Sequence, residues 1–314
     1  MSQEARPDSD PGPERGAEDA PGRSELDRIK MIPLLLWILG GVGIAMIATS
    51  LLVEQVGIRD TDPILALFAF GTIYAFVGAW IFSSFTKAGV QASKLVGPPP
   101  RSKSLRRATA AAVASWLIAG ASYALVYVHL APQPVPLGAT DPAPPPGSDY
   151  PDLAHALAVV VAIGLVPIVE EFLFRGLLLY RWTKRFGRSG AVFYTSLLFA
   201  AIHGEMIGRF LLGVLLAKSY LKTRSLHVPI FCHMLFNGIA LVGGFYEIRP
   251  GADNLEAIAH LLEEQPWIGL GLLVIGVPII VHLLRDLDSP PDAPLPYDAP
   301  RKANGKETQG DHGK

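Results

Sequence analysis

Two adjacent carboxylates and one guanidinium interrupt a long apolar stretch of the chain. Glu170, Glu171 and Arg175 lie within the sequence GLVPIVEEFLFRGLLLY, which is otherwise apolar up to its final tyrosine. A charged side chain at the depth of a bilayer is costly, so it is usually paired and often functional. Glu171 and Arg175 are four residues apart with the acid first, which favours an ion pair on one helix face. Glu170 is turned by about 100° from its neighbour, so the two carboxylates can take different roles.

Further polar side chains occupy the apolar stretches that follow. His203 comes four residues after Phe199, and Asn237 comes four residues after His233, so each pair shares one face of a helix. A carboxylate and a neutral histidine can orient and deprotonate a water molecule, directly or through a bound metal ion. A second histidine and an asparagine amide can donate hydrogen bonds to the oxyanion that forms on a scissile carbonyl. These residue types therefore predict peptide hydrolysis by an activated water.

Two other kinds of protease motif do not fit the sequence. Gly187-Arg-Ser-Gly190 has the pattern of a serine intramembrane protease, but it follows a basic run and begins an apolar stretch, so we interpret it as a helix cap. The zinc motif His-Glu-x-x-His is absent, because His203-Gly-Glu205 lacks the second histidine. Glu205 and Arg209 are four residues apart at a turn, and we interpret them as an interfacial pair.

The composition is that of a membrane protein. Of the 314 residues, 50% are hydrophobic and only 18% are charged, and the mean hydropathy is +0.34. Soluble domains carry about 25% charged residues. The formal net charge of −1 gives no reason to expect nucleic-acid binding, which requires a basic surface. Cys232, the single cysteine, cannot form an intrachain disulfide and is predicted to be a buried apolar residue.

The elements that must position these side chains are apolar stretches that could cross a bilayer. A span needs about 20 mostly apolar residues, and a single chain in lipid satisfies its backbone by forming helices. We therefore predict an all-α polytopic membrane protein, a bundle of about eight transmembrane helices. The predicted spans are 31–53, 64–85, 108–131, 153–180, 190–205, 206–222, 226–246 and 266–285. In the fourth, Pro167 removes a backbone hydrogen bond, either for packing or to admit water beside the carboxylates.

Basic and acidic loops alternate along the chain. Six basic residues and no acidic one lie between Lys87 and Arg107, whereas 132–152 has three aspartates and no basic residue. Basic loops face the cytoplasm. We therefore predict a multi-pass protein of the cell's inner (plasma) membrane with both termini cytoplasmic. The five tryptophans, Trp80 among them, are predicted to lie mostly near span ends or lipid-facing positions as anchors.

The sequence divides into five segments. Residues 1–30 and 289–314 are rich in proline and polar residues and are predicted to be disordered tails. Residues 31–150 contain the first spans and end in an irregular loop rich in proline and glycine. Residues 151–246 form the predicted catalytic core, and residues 247–288 contain a loop and the last span.

Three motifs occur in order on consecutive apolar stretches. They are Glu-Glu-x-x-x-Arg at 170–175, Phe-x-x-x-His at 199–203 and His-x-x-x-Asn at 233–237. Together they resemble the motifs of the CPBP family, the intramembrane endopeptidases that include CAAX prenyl protease 2, the bacteriocin-processing Abi proteins and lysostaphin resistance protein A-like proteins. The resemblance covers residues 150–245 and implies a helical bundle with a membrane-buried polar cavity that opens toward the cytoplasm.

The resemblance also implies a set of site residues: Glu170, Glu171, Arg175, His203, His233 and Asn237. Glu170 would activate the water together with His203, while Glu171 and its arginine partner would shape the charge of the site. His233 and Asn237 would hold the oxyanion.

The resemblance leaves the use of a metal open. Glu170, His203 and His233 are candidate ligands for a catalytic Zn2+ with an open position. A metal-free glutamate mechanism is equally compatible with these residues.

The expected partners are membrane lipids and a membrane-anchored or hydrophobic substrate, which the resemblance suggests is a prenylated C-terminus, a hydrophobic peptide or a membrane-protein segment. Two other functions stay open. A catalytically silent membrane scaffold or immunity-type protein of the same fold would be indicated by the loss of a motif residue, and none is lost here. A proton-coupled transporter would use the same residues as a relay, but the sequence lacks the internal repeat typical of transporters.

Overall fold

The computed structural model describes residues 24–60, 62–122, 125, 150–203, 206–245, 265, 267–290 and 293–298. These residues form helices joined by turns, and no strand occurs among them, which confirms the all-α prediction. The Pro- and Gly-rich loop before residue 150, the acidic loop after residue 246 and the outer parts of both tails lie outside the described residues.

The α-helices of the described ranges differ widely in length. They are α1 Ile32–Leu51, α2 Pro63–Ala88, α3 Ala92–Val96, α4 Ser102–Ser122, α5 Pro151–Ala158, α6 Val166–Glu171, α7 Leu179–Ala201, α8 Met206–Thr223, α9 His227–Phe245 and α10 Trp267–Asp286. A 3-10 turn at Glu25–Arg28 precedes α1, and a π-helical turn at Leu52–Val56 extends it.

The helices α5, α6 and α7 follow one another without a loop, because π-helical turns at Val159–Leu165 and Phe172–Leu178 connect them. A π-helical turn is wider than an α-helical one and is frequent at functional sites. Pro167 follows the first of these turns by two residues, inside the continuous helical segment, where it has no N–H to donate to the preceding turn. The short helix α6 therefore presents Glu170 and Glu171 between two widened segments.

Four helical segments are long and apolar enough to cross a membrane: Ile32–Val56, Pro63–Ala88, Asp152–Ala201 and Trp267–Asp286. The described residues therefore contain four candidate membrane spans, fewer than the predicted number of about eight. The segment Asp152–Ala201 contains a kink at Gly187, where the backbone is not helical (φ 69°, ψ 173°) and two helices meet, so the fourth and fifth predicted spans lie on opposite sides of this kink. The helices α4 and α8 carry several basic side chains, and the apolar part of α9 is short.

The helix α4 lies inside the bundle and packs against α8, α9 and α10, whereas α1 packs against α2. Small side chains permit the close packing around α4, where Ala112, Ala114 and Ala121 are fully buried. On the other side, α2 contacts α5 and α6. The segment α5–α7 is therefore enclosed by α2 on one side and by α8 and α9 on the other.

Both tails contain a packed element that the sequence analysis assigned to disorder. A capping box begins the 3-10 turn Glu25–Arg28, and Leu26 and Ile29 are buried in the core. At the other end of the chain, Tyr297 is buried and its hydroxyl accepts a hydrogen bond from the backbone N–H of Gln91. The prediction of disorder is wrong for these two short stretches. A few apolar side chains are enough to anchor a polar segment where a core surface can receive them.

Candidate active site

The two adjacent carboxylates leave α6 in different directions and are both buried, with Glu170 2% and Glu171 0% exposed. Glu171 Oε1 accepts a hydrogen bond from Arg175 Nη1 at 2.9 Å, so the structure contains the ion pair predicted from the spacing. Arg175 Nη2 also donates to the backbone carbonyl of Gly213 on α8 at 3.2 Å. A Cβ at position 213 would lie 3.0 Å from Cα of Ser196, so glycine allows α8 to approach α7 closely.

His233 on α9 lies between the two carboxylates. Its Nδ1 is 3.0 Å from Glu171 Oε1, and its Nε2 is 3.7 Å from Glu170 Oε2. Because Glu171 also accepts from Arg175, we assign the imidazole proton to Nδ1, which donates to Glu171. The Nε2 atom then presents a lone pair toward Glu170.

The two facing atoms, Glu170 Oε2 and His233 Nε2, are buried and have no hydrogen-bond partner within the described part of the chain. Buried polar atoms are normally hydrogen-bonded. At 3.7 Å they are too far apart for a direct hydrogen bond, but one water molecule could contact both. This is the point in the site where a reacting water can be bound.

Tyr74 on α2 is a site residue that the sequence analysis missed. Its hydroxyl donates a hydrogen bond to Glu170 Oε1, across 96 residues of sequence. Its ring packs against Phe70, with the ring centroids 4.7 Å apart. The hydrogen bond occupies one carboxylate oxygen and leaves the other to face His233. A tyrosine within an apolar span carries no spacing signal that could have revealed this contact.

Asn237 connects α9 to two other segments. Its Nδ2 donates to the backbone carbonyl of Ala162 at 2.9 Å, and its Oδ1 accepts from Arg209 Nη1 at 3.3 Å. Arg209 is only 5% exposed, and its guanidinium carbon lies 4.6 Å from the centroid of the Phe236 ring. The interpretation of Arg209 as an interfacial residue is therefore wrong, because α8 directs it inward against α9. Its expected partner Glu205 lies outside the described residues.

His203 follows the end of α7 and is partly buried. Its Nδ1 is 2.6 Å from the backbone carbonyl oxygen of Phe199. The phenyl ring of Phe199 is fully buried and contacts three site residues, with centroid distances of 4.6 Å to His203, 5.4 Å to His233 and 4.8 Å to the Arg175 guanidinium. The Phe-x-x-x-His spacing thus places His203 against the ring that packs on the ion pair, whereas the residue facing Glu170 is His233.

The donor atoms do not fit a zinc site of the predicted kind. Within the described residues, no group of three His, Cys, Asp or Glu side chains is placed to hold one metal ion. Glu170 and His233 face each other, but His203 does not complete a three-ligand set with them. Cys232 is buried as predicted and belongs to no such group.

Residues 152–239 match a family model described as type II CAAX prenyl endopeptidase Rce1-like. This part of the chain is similar to the CPBP/CAAX protease family. The match contains all three motifs and lies within the segment on which the resemblance was based, which confirms that prediction. No curated protein and no solved structure matches the chain. Together with the four apolar helices, this similarity supports a membrane protein of the protease type.

Proposed function

We propose that this protein is an intramembrane endopeptidase that hydrolyses a peptide bond close to a membrane anchor. The observation that supports this most directly is the pair of buried, facing atoms Glu170 Oε2 and His233 Nε2, 3.7 Å apart. The family match suggests a prenylated C-terminus as the substrate class. A hydrophobic peptide or a membrane-protein segment would bind at the same site.

In the proposed reaction, one water molecule donates a hydrogen bond to each of these two atoms. Its lone pairs then point away from both and toward the scissile carbonyl carbon. As the water oxygen attacks, Glu170 takes the proton and a tetrahedral intermediate forms. When the C–N bond breaks, Glu170 returns the proton to the leaving nitrogen, which regenerates the carboxylate.

The other site residues position these groups. Glu171, held by Arg175, accepts the Nδ1 proton of His233 and so keeps the imidazole in the tautomer whose Nε2 faces the water. Tyr74 fixes the rotation of the Glu170 carboxylate. We regard these three residues as positioning residues, since their observed contacts are to other site residues.

We propose that the guanidinium of Arg209 supplies the positive charge that stabilises the oxyanion. Asn237 was expected to hold the oxyanion with His233, but its amide is hydrogen-bonded to Ala162 and to Arg209. A buried guanidinium provides several donors and a positive charge in surroundings of low dielectric constant. Asn237 would then orient Arg209. The contribution of His203 stays a prediction, as does the use of zinc.

The test uses the purified full chain in lipid vesicles with a farnesylated peptide and the same peptide without the farnesyl group. Glu170→Gln keeps the size of the side chain and the Tyr74 contact but removes the base, so cleavage should be lost. Glu54→Gln, an exposed glutamate after α1, is the matched control and should cleave like the wild type. His203→Ala tests whether cleavage needs His203, which was predicted to activate the water together with Glu170.

Undiminished cleavage by Glu170→Gln would refute the mechanism. A folded wild type that cleaves no membrane-anchored peptide would instead favour the silent-scaffold function. The proposed orientation, with both termini cytoplasmic in the inner membrane, is tested separately by protease digestion of tags at the two tails in sealed vesicles.

A further inference from the structure

A second cavity, of about 610 Å³, lies between the start of α1 and the end of α2. Three basic side chains line it, Arg28, Lys30 and Lys87, and no acidic side chain is among its lining residues. None of its lining residues belongs to the candidate active site. Its volume falls within the range of about 300–1,000 Å³ that is typical of small-ligand sites.

The segment that contributes two of the cations is held firmly on the protein. Arg181 Nη1 donates to the backbone carbonyls of Leu26 and Ile29, and both of these side chains are buried. Of the two acids in the same turn, Glu25 and Asp27, the second is directed to Lys184 on α7, with its Oδ2 2.5 Å from the lysine Nζ. Neither acid lines the cavity, whereas the basic residues on either side of Ile29 do.

The cavity lies where the lipid-facing surface of α1 begins. Lys30 lies two residues before the start of α1, and Ile32 and Leu36 of that helix are 82% and 66% exposed. These apolar side chains are largely exposed and are suited to contact with hydrocarbon. In a bilayer that α1 crosses, the basic cluster would lie at the height of the lipid headgroups.

The remaining walls of the cavity combine aromatic rings and hydroxyls. Trp37 and Trp80 line it from α1 and α2, and Ser83 and Ser84 add hydroxyl groups next to Lys87. Trp80 is only 2% exposed, which corrects its interpretation as a lipid-facing anchor, since it forms part of the cavity wall. Tryptophan is enriched at the membrane interface because its ring is apolar and its N–H is polar.

We propose that this cavity binds the headgroup of an anionic phospholipid. The phosphate would lie among the three basic side chains and accept hydrogen bonds from the serine hydroxyls, while the acyl chains follow the exposed face of α1. Clusters of basic residues at the cytoplasmic ends of transmembrane helices attract anionic lipids, and basic pockets between such helices bind their headgroups.

The test measures binding of short-chain phosphatidylglycerol to the delipidated full chain in neutral detergent by native mass spectrometry. Phosphatidylcholine with the same acyl chains and inorganic phosphate are measured in parallel. We expect phosphatidylglycerol to bind at least about tenfold more tightly than either. A phosphatidylglycerol with a photoreactive group beside its phosphate should label peptides covering 28–37 and 80–88.

The decisive variant is Lys30→Gln/Lys87→Gln, which removes two of the three cations. Two lysines near a lipid surface correspond to a loss of about 30-fold in affinity. Arg101→Gln/Lys103→Gln removes the same charge from exposed positions outside the cavity and should bind like the wild type. Equal loss in both variants, equal binding of the two phospholipids, or inorganic phosphate binding as tightly as the lipid would overturn the proposal. Neither pair belongs to the proposed catalytic machinery, so cleavage activity reports separately on the proposed function.

Discussion

Replacement of Glu171 by glutamine should destabilise the protein far more than the same change at Glu170. Glu171 is fully buried and accepts hydrogen bonds from both Arg175, at 2.9 Å, and His233, at 3.0 Å. Arg175 is itself only 1% exposed. In Glu171→Gln the guanidinium stays buried without its counter-charge. In Glu170→Gln the amide oxygen can still accept the hydrogen bond of Tyr74, and no ion pair with Arg175 is lost.

The expected magnitude follows from the burial of the ion pair. Removal of one partner from a buried pair lowers the free energy of unfolding by about 3–5 kcal/mol, mostly because the other charge is left uncompensated. Removal of both charges avoids that penalty. The double variant Glu171→Gln/Arg175→Met keeps an unbranched apolar side chain against Phe199 and should therefore be more stable than Glu171→Gln alone.

Unfolding of the wild type, Glu171→Gln, Arg175→Met and the double variant in detergent, followed by tryptophan fluorescence, gives the coupling energy of the pair. Glu170→Gln is the matched control and should lose less than half as much stability as Glu171→Gln. If the effects of Glu171→Gln and Arg175→Met simply add in the double variant, the two charges are not coupled. The positioning of His233 by this pair would then be refuted.

Three further outcomes are expected. Tyr74→Phe should lower kcat about tenfold with KM little changed, because a hydrogen bond to a charged group contributes about 1.5 kcal/mol; an unchanged kcat would show that Tyr74 does not position Glu170. Cleavage should survive prolonged chelation, since among the described residues no three candidate ligands are placed to hold one metal ion; activity that is lost and then restored by zinc would establish a metal enzyme. Gly97→Ala should prevent folding, because its Cβ would lie 1.9 Å from the backbone oxygen of Arg224. Gly89 has a similar positive φ of +76° but open space around it, so Gly89→Ala should lower the free energy of unfolding by only about 1–2 kcal/mol in the same unfolding assay.

The arrangement within single helices could be predicted from the sequence. Residues four apart lie on the same side of a helix, so the Glu171–Arg175 ion pair followed from spacing alone. The contact of His203 with the Phe199 ring has the same spacing. The apolar composition predicted an all-α membrane protein, and the order of three motifs predicted the family.

The contacts between helices could not be predicted in this way. The sequence analysis paired Glu170 with His203, but the tertiary structure places His233 opposite Glu170 and brings Tyr74 to its other oxygen. It also turns Arg209 inward toward Asn237. These contacts depend on how each helix is rotated about its axis, and the π-helical turns on both sides of α6 change that rotation.

The number of spans and the ends of the chain also differ between what the sequence predicted and what the structure shows. Hydropathy located the apolar stretches, but four helical segments of the described residues are long and apolar enough to cross a membrane, and short packed elements replaced part of each disordered tail. By itself, then, the sequence determined the helical class, the resemblance to a family and the residue pairs within one helix, because all of these depend on local composition, motifs and periodicity. Only the tertiary structure decided which helices meet and which carboxylate faces which histidine, because packing between distant segments sets those distances.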